Sequence, residues 1–565
     1  MKHAVSFVRR KFNQMLAVAT VTMSVNYIVM LSGSVIVGNM VGADGLSGVN
    51  TCTPIFGIAS FLASILSVGS ALVFSRAMGA FDERRAAGVF SQSMMLAAAV
   101  GACIYVVMRF GGPSFLDFAG VTGAVRAQAE AYLGWQSLAM ALLPAVLLME
   151  ALVYADGDVL VASAAGAVHV IGSLGLSVWF TKISGDAGGV AQGTAFTMVA
   201  VLGVCALHLF RTHNHLRFRV WFSAKDLGET CAASMADSTI YLCWGVLVMA
   251  INKFTVVRFG QDLLPLVALA ASVVEFSIVF DGVGEALIPI GGMYDGEGNR
   301  PALRELARHS AVTATLEGTV FGALFYCLAP QLAPLYGIRG DAAMLLPEAV
   351  WLIRALALAM PFMGLLMMVN THFLVVHRIP FAVSVTVVKD FICPCICSLS
   401  FGWLFGTKGM WVGFTIGYVL AAFYPFAAVL IRFGSDLFPW LIERDDGKSI
   451  DFAVKLSAEA VDDSAVEIAE YLNGRGIYDA AVGRIADLVR ENGLLSVSGA
   501  GRSAVSEYFV STEDPACIRL VIRDTGRPQD VNLRSAAVSA ATSFRYLNTL
   551  GCNRTEYRFD IAEIP

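Results

Sequence analysis

The chain has 565 residues, of which 57% are hydrophobic and 15% are charged, and its mean hydropathy is +0.68. Soluble proteins carry about a quarter of their residues as Asp, Glu, Lys and Arg, so this composition predicts a membrane protein. The net charge of −5 comes without a basic block, which argues against binding to nucleic acid. The 11 cysteines do not form the spaced framework of a secreted disulfide-rich domain.

The charged residues are concentrated at the C-terminal end. Residues 440–565 contain 34 of them, about 27%, whereas residues 1–439 contain 49, about 11%. The chain is therefore predicted to be a large membrane domain followed by a small soluble domain.

Twelve segments are long and apolar enough to cross a membrane, which takes about 20 residues. They lie near residues 15–37, 53–75, 88–108, 131–155, 158–180, 189–210, 231–257, 263–290, 310–330, 345–376, 380–404 and 409–431. The basic stretch Met1–Lys11 precedes the first segment without a signal-peptide cleavage site, so that segment is predicted to be a transmembrane helix.

Positive charge predicts the orientation of these helices. The N-terminus and the loops after even-numbered helices carry 15 Lys and Arg, against 6 in the loops after odd-numbered helices. The positive-inside rule then places both termini in the cytoplasm of a cell whose inner or plasma membrane holds the protein.

The two halves of the membrane domain resemble each other at an offset of roughly 215 residues. FSRAMGAFDERRAAGVFSQS follows the second helix and IPIGGMYDGEGNRPALRELARHS follows the eighth, each with a Gly-rich exit and then mixed acids and arginines. A spacing of six helices is typical of a parallel repeat. We therefore predict an all-α polytopic membrane protein with twelve transmembrane helices in two six-helix lobes, residues 1–220 and 221–439, and a C-terminal α/β sandwich domain, residues 440–565.

The stretches SGSVIVGNMVGADGLSGVNTCTPI and FLASILSVGSALVFSRAMGAFDERRAAGVF resemble the first two helices of the multidrug and toxic compound extrusion (MATE) family. The residues at matching places are Gly38, Gly42, Pro54, Gly69, Ser75, Gly79 and Ala80. INKFTVVRFG in the second half is similar to the corresponding feature there, and the resemblance covers residues 12–435.

This resemblance implies two lobes around a central cavity that opens alternately to each side, with export driven by inward Na+ or H+ and no ATP hydrolysis in the transport step. In one branch of the family the first helix carries a carboxylate just before its exit. Gly33 and Ser34 stand there in this chain, so an N-lobe coupling site built on that carboxylate is absent.

Ionisable residues inside membrane helices are costly and are functional candidates by default. Asp237 in the seventh helix lies near the position where the resemblance implies an acidic coupling residue. Lys253 lies near the other end of that helix and Glu275 in the eighth, close enough for a structural ion pair between them.

Four further acids are candidates. Asp281 and Glu285, four residues apart, are predicted to mark the cytoplasmic mouth, and Glu150 to line the cavity or make an interhelical hydrogen bond. Asp390 is expected to face a partner across the bundle, because adjacent residues such as Lys389 and Asp390 point about 100° apart on an α-helix.

The soluble tail has its own pattern of elements. SIDFAVKL and CIRLVIRD alternate like strands, DSAVEIAEYLNGRG and YDAAVGRIADLVREN have helical spacing, and TEYRFDI is a closing strand after the long segment VNLRSAAVSAATSFRYLNTLG. Helices on one face of a mixed sheet give an α/β sandwich of about 115 residues.

The strand ending in RLVIRDTGRPQDV resembles the histidine-kinase-like (GHKL) ATPase fold, in its anti-sigma-factor-type branch. This resemblance implies that Asp524 hydrogen-bonds an adenine amino group, with Gly526 keeping the backbone near the base. Glu491 stands in the acidic pair of the second helix, but Leu495 stands where an Asn would hold Mg2+, which takes oxygen ligands. The tail is therefore predicted to be a degenerate ATPase fold that binds ATP and Mg2+ weakly or not at all.

The sequence therefore predicts a secondary active antiporter, not an enzyme, which exports small amphiphilic or cationic molecules in exchange for Na+ or H+ and carries a cytoplasmic regulatory domain. One alternative is a membrane-anchored sensor that signals through an anti-sigma-like tail to a cytoplasmic protein partner. A flippase for lipid-linked saccharides is disfavoured, because a pyrophosphate-linked lipid needs several cavity Arg or Lys.

Overall fold

The computed structural model describes residues 6–118, 121–211, 214–260, 263–335, 344–443, 447–498, 504–514, 516–526 and 541–560. Within these ranges the structure does not describe the side chains at sixteen helical positions, including Asp237.

The membrane domain is helical, as predicted. Its α-helices are α1 (Phe7–Met40), α2 (Ala43–Ser64), α3 (Ser67–Gly79), α4 (Glu83–Phe118), α5 (Gly123–Ala155), α6 (Val159–Ser184), α7 (Gly188–Leu207), α8 (Ala224–Phe259), α9 (Leu264–Glu275), α10 (Asp281–Glu297), α11 (Arg300–Leu335), α12 (Leu346–Ala357), α13 (Met360–Val375), α14 (Ile379–Val387) and α15 (Cys393–Phe433).

Within the described residues, nine helical stretches are long and apolar enough to cross a membrane, and ten if the bent pair α12 and α13 is one span. This supports a multi-pass membrane protein but does not confirm the count of twelve. The longest stretch, Ile379–Phe433, covers two predicted segments and contains a break at Gly406, whose φ of 75° is outside helical geometry. Helix α1 covers the first predicted segment but is not among the nine.

Two local departures from α-helical geometry shape the second half of the membrane domain. The segment Phe276–Phe280 between α9 and α10 is a 3-10 helix, and Val388–Ile392 between α14 and α15 is a π-helical turn. Both change the direction in which neighbouring side chains point, and π-helical turns occur frequently at functional sites.

The C-terminal domain contains β1 (Ser449–Lys455), α16 (Ala458–Gly474), α17 (Asp479–Ser498), β2 (Val505–Ser511), β3 (Cys517–Asp524), β4 (Ser543–Thr549) and β5 (Cys552–Asp560). Its strands form one sheet in the order β1-β2-β3-β5-β4, and every neighbouring pair is antiparallel. The predicted small sheet domain is therefore present. The expectation of a mixed sheet was wrong, because every neighbouring pair of described strands is antiparallel, including β1 and β2, which α16 and α17 connect.

Two strands were not predicted from the sequence. β2, with the sequence VSEYFVS, is buried on both faces and lacks a clear alternation, and β4 lies within the long segment that was not assigned. Residues 531–540 of that segment lie outside the described residues.

The two faces of this sheet pack against different neighbours, as the period of two along a strand requires. One face packs on α16 and α17 through a core that includes Phe452, Ile468, Ile485, Tyr508 and Tyr557. The opposite face lies on the membrane domain, with Ala453, Val505 and Cys552 in one cluster with Phe7 of α1.

Candidate functional site

One cavity of the membrane domain is lined by several of the predicted acids. Its volume is about 270 Å³, and Glu275, Asp281 and Asp390 all line it. The other described lining residues are Ile240, Tyr241, Trp244, Val274, Ser277, Ile278, Met367 and Tyr418. Three of the seven candidate residues thus meet in one place, within helices α8 to α15.

The 3-10 segment brings Glu275 and Asp281 to the same cavity. Six residues separate them, which is two full turns at three residues per turn, whereas an α-helix would place them on different faces. The sequence pattern suggested a continuous helix, so this shared face was not predicted.

Asp281 begins α10, at the opposite end of that helix from the contact with the C-terminal domain, and its place at the cytoplasmic mouth stays a prediction. Helix α10 continues to Glu297, seven residues beyond the predicted end, and Glu297 contacts the C-terminal domain. With a rise of 1.5 Å per residue, Asp281 lies about 24 Å deeper than Glu297 along the helix.

Asp390 is buried and pairs with its own neighbour. Lys389 Nζ lies 2.6 Å from Asp390 Oδ2. The prediction that these adjacent residues do not pair was wrong, because the long lysine side chain bends back within the π-helical turn Val388–Ile392. Lys389 is 3% exposed and Asp390 is 8% exposed. At such burial each charge needs a partner of opposite sign.

Aromatic side chains complete the cavity wall and were not predicted. Trp244 hydrogen-bonds Glu275, and Tyr241, three residues earlier on α8, lines the same cavity with Tyr418 of α15. The spacing of three residues between Tyr241 and Trp244 could have predicted this shared wall, because residues at i and i+3 lie on the same face of a helix.

This arrangement is chemically suited to cations. The described lining presents three carboxylates and no Lys or Arg side chain, with Lys389 compensating Asp390 from beside it. No group of three or more His, Cys, Asp or Glu in the described residues is close enough to hold one metal ion together. Each carboxylate of this cavity can chemically accept a proton or a cation.

The remaining predicted coupling residues lie elsewhere or are not described. Asp237 is on α8, but its side chain lies outside the described residues. Lys253 is exposed, and the described ion pairs include none between it and Glu275. Glu150 on α5 lies 3.8 Å from His169 Nδ1 on α6, so it belongs to the first half of the membrane domain, away from this cavity.

All three predicted nucleotide residues lie in the C-terminal domain, and two of them, Asp524 and Gly526, are in contact. Asp524 is 2% exposed, and its Oδ1 accepts hydrogen bonds from Gly526 N and Asn553 Nδ2, both at 2.8 Å. Its Oδ2 accepts from Ser496 Oγ of α17 at 3.0 Å. Both carboxylate oxygens therefore already have partners inside the domain, while Glu491 is half-buried on α17.

Comparison with known proteins agrees with the architecture of the membrane domain. Residues 18–179 match the MatE family model. No curated protein sequence matches the chain.

Solved structures match over 75% of this chain, a share close to that which precedes the C-terminal domain. A MATE protein in complex with MaL6 gives a TM-score of 0.71 at 19% identity, and 96% of that chain is covered. An outward-facing multidrug resistance MATE transporter of the MOP superfamily gives 0.69 at 20% identity, again with 75% and 96% coverage. A MOP superfamily transporter from Pyrococcus furiosus gives 0.70 at 19% identity with the same coverage. The membrane domain of this chain therefore has the fold of the MATE transporters, and its residues 18–179 match the model of that family.

Proposed function

We propose that the protein is a secondary active antiporter that exports small amphiphilic or cationic molecules in exchange for Na+ or H+ by alternating access. The observation that carries this proposal is the meeting of Glu275, Asp281 and Asp390 in one cavity of a MATE-like membrane domain. An acid deep in a membrane protein is costly to keep charged, so binding a proton or cation there is favourable. The aromatic wall supplies the apolar contact area that an amphiphilic substrate needs.

In this mechanism the cavity carboxylates bind the coupling ion when the domain opens to the outside. Ion binding neutralises charge in a low-dielectric setting and stabilises a conformation that differs from the ion-free one. Export follows because ion and substrate favour opposite conformations, so that each one displaces the other.

Proteoliposomes test the proposal. Efflux of a lipophilic cationic dye is measured under imposed Na+ or H+ gradients for the wild type, Glu275→Gln and Asp390→Asn, with Lys253→Gln as the control outside the cavity. We expect gradient-driven efflux in the wild type and the control and at least about tenfold slower efflux in both cavity variants. Equal gradient-driven efflux in all four proteins would contradict the role of this cavity.

The finer topology is part of the same proposal. Counting α1 as a span, α12 with α13 as one, and Ile379–Phe433 as two divided at Gly406 gives twelve crossings. Residues 1–220 and 221–439 are then the two lobes, and the described connection between them, residues 214–223, contains no helix. Both termini are cytoplasmic in the inner or plasma membrane, supported by the distribution of Lys and Arg.

For the C-terminal domain we favour a degenerate GHKL fold with a regulatory role. The helix pair on one face of the sheet and the Asp524–Gly526 motif support the resemblance. Two features argue against ATP binding, namely Leu495 and the Asp524 carboxylate, whose oxygens already accept hydrogen bonds within the domain. Isothermal calorimetry of the full chain with ATP and Mg2+ tests this, and submillimolar affinity would overturn it.

The sensor alternative is favoured by one observation, the extensive contact between the C-terminal domain and the membrane domain. Such contact can carry a signal from a bound ligand to a cytoplasmic partner of the tail. The dye experiment separates the two functions, because a sensor need not move any molecule.

A further inference from the structure

The face of the C-terminal sheet that is turned to the membrane domain touches both halves of that domain. In the first half it meets α1, the end of α3 and the turn between α5 and α6, where Leu550 lies so close to Gly157 that a Cβ there would be 2.3 Å from the Leu550 Cα. In the second half it meets the end of α10 and the start of α11, where Arg300 Nη1 lies 3.3 Å from Glu513 Oε1. The sheet and its connecting turns therefore span the line along which the two halves meet.

A single side chain, Arg554 of β5, connects the two halves directly. It is 0% exposed, and its guanidinium donates hydrogen bonds to the backbone carbonyls of Met78 and Gly79 at the end of α3. The same guanidinium forms an ion pair with Glu297 at the end of α10. These bonds cannot all persist if the ends of α3 and α10 move apart.

Further buried charges reinforce this connection. Arg523 of β3 pairs with Glu297 and with Glu507 of β2, and Tyr294 of α10 donates to both carboxylate oxygens of Glu507 at 3.1 Å. Arg519 donates to the Glu297 backbone carbonyl. Because all of these charged groups except Arg519 are buried, separating them would leave ions without partners in a desolvated interface.

Beneath the sheet, the two halves of the membrane domain are in close contact. Arg76 of α3 pairs with Glu229 of α8 at 2.5 Å and with Asp295 of α10 at 2.9 Å. A Cβ at Gly79 would lie 2.2 Å from the Met293 carbonyl oxygen, and one at Gly296 would lie 2.2 Å from that of Arg76. The membrane domain is therefore closed on the side that carries the C-terminal domain.

We infer that the C-terminal domain is a clamp that holds the membrane domain closed on its own side. The clamp consists of Arg554, which binds the Met78 and Gly79 carbonyls of α3 and Glu297 of α10, and of Arg523, which binds the same Glu297. Opening on this side requires the sheet to leave at least one half, so any event that undocks the domain permits opening. This inference deepens the proposed function, because it names the step of alternating access that the tail controls.

Hydrogen–deuterium exchange of the full chain in detergent or nanodiscs tests the clamp without any substrate. The informative region is the start of α8, residues 224–235, which contacts the first half through the Arg85–Asp226 and Arg76–Glu229 pairs. Its exchange reports separation of the two halves and not merely loss of contact with the tail. We expect Arg554→Ala to speed exchange there by at least about tenfold.

Arg558→Ala is the matched control. Arg558 lies on the same strand and the same sheet face, but it is 41% exposed at its side chain and pairs with Glu556 inside the domain. Exchange at the start of α8 is expected to stay at the wild-type level in this variant. Unchanged exchange of β2 and β3 in Arg554→Ala shows that the domain still folds, and Glu297→Gln, which removes the shared carboxylate charge, provides a second variant with the same expectation.

Wild-type exchange at the start of α8 in both Arg554→Ala and Glu297→Gln would overturn the clamp, whether or not the ends of α3 and α10 themselves exchange faster. The result is independent of the antiport proposal. Faster exchange at the start of α8 without gradient-driven efflux would support the clamp and contradict the proposed transport. Gradient-driven efflux with unchanged exchange would support transport and contradict the clamp.

Discussion

Lys389 and Asp390 are consecutive residues that form a buried ion pair, with Nζ and Oδ2 at 2.6 Å. The pair lies in a π-helical turn at the wall of the cavity that also holds Glu275 and Asp281. A cation that binds at Asp390 therefore competes with a lysine from the same turn. Removing the charge of Lys389 therefore tests whether Asp390 accepts a cation.

Replacing Lys389 by Met keeps the length of the side chain and removes its charge. The Asp390 carboxylate then lacks its counter-ion, and an uncompensated buried charge costs about 3–5 kcal/mol. We expect the thermal midpoint of Lys389→Met to fall at alkaline pH and low salt, and to recover when Na+ is added or when acid protonates the carboxylate.

Lys253→Met is the control for this experiment, because Lys253 is exposed on α8. Its thermal midpoint should follow that of the wild type under all of these conditions. If Lys389→Met also shows the wild-type response to Na+ and pH, Asp390 does not accept a cation in its place.

Gly79 tests the close contact between α3 and α10. A Cβ there would lie 2.2 Å from the Met293 carbonyl oxygen, a backbone atom that cannot move aside without moving the helix. We therefore expect Gly79→Val to disfavour closure on this side and to speed hydrogen exchange at residues 224–235. Gly111→Val on α4 is the control, because a Cβ at Gly111 would meet nothing within 4 Å, and equal exchange in the two variants would contradict the role of this contact.

Asp451 of β1 gives the docked domain a pH dependence. Burial raises the pKa of Asp451 from 3.8 to about 7, and the nearby Glu305 adds to this effect while Asn299 opposes it. Glu507, whose pKa burial and Asp451 also raise, faces the same region. The docked Asp451 keeps a proton that the exposed carboxyl releases at lower pH. The stability that this proton contributes is fully present below pH 3.8 and is lost as the pH rises towards about 7.

Asp451→Asn removes this dependence, because the amide does not ionise. We expect the wild type to lose more thermal stability than Asp451→Asn between about pH 5 and pH 8. Differential scanning fluorimetry of the two full-length proteins over this range checks the expectation. Parallel curves for the two proteins would show that Asp451 is not the titrating group.

Asp156 joins the turn between α5 and α6 to the segment that leads into α8. Its carboxylate accepts hydrogen bonds from His208 Nε2 and His215 Nδ1, both at 2.8 Å, and from the His215 backbone N–H at 3.0 Å. Burial alone would raise the pKa of Asp156, but these hydrogen bonds outweigh burial and hold it below its usual value. The stability that the ionised carboxylate contributes is therefore fully present above the usual carboxyl pKa and is lost as the pH falls through the lowered one.

Asp156→Asn should lower the stability at neutral pH by about 3 kcal/mol, because the charge-assisted hydrogen bonds are lost in a buried setting. Thermal unfolding of the purified variants measures the change. Asp117→Asn is the comparison, since the Asp117 side chain is 63% exposed beside Arg126 and should change stability by about 0.5 kcal/mol or less. Similar losses for the two variants would show that the histidine cluster adds little.

The sequence alone predicted the membrane domain, most of its helices and the small sheet domain. These follow from local properties, namely runs of apolar residues, charge content and strand alternation, which do not depend on distant contacts. The prediction failed where geometry departs from the regular α-helix. The 3-10 segment Phe276–Phe280 and the π-helical turn Val388–Ile392 carry no distinctive residue pattern, and they decide which way Glu275, Asp281 and Asp390 point.

Only the tertiary structure reveals how the two parts of the chain meet. Arg554 and Glu297 are 257 positions apart and look like ordinary surface charges in the sequence, yet both are fully buried against each other. Sequence patterns determine which residues can be buried by their own helix or strand, because that burial follows a local period. Burial of a charge by a partner in another domain depends on docking, and docking is fixed by the shapes and charges of two folded surfaces.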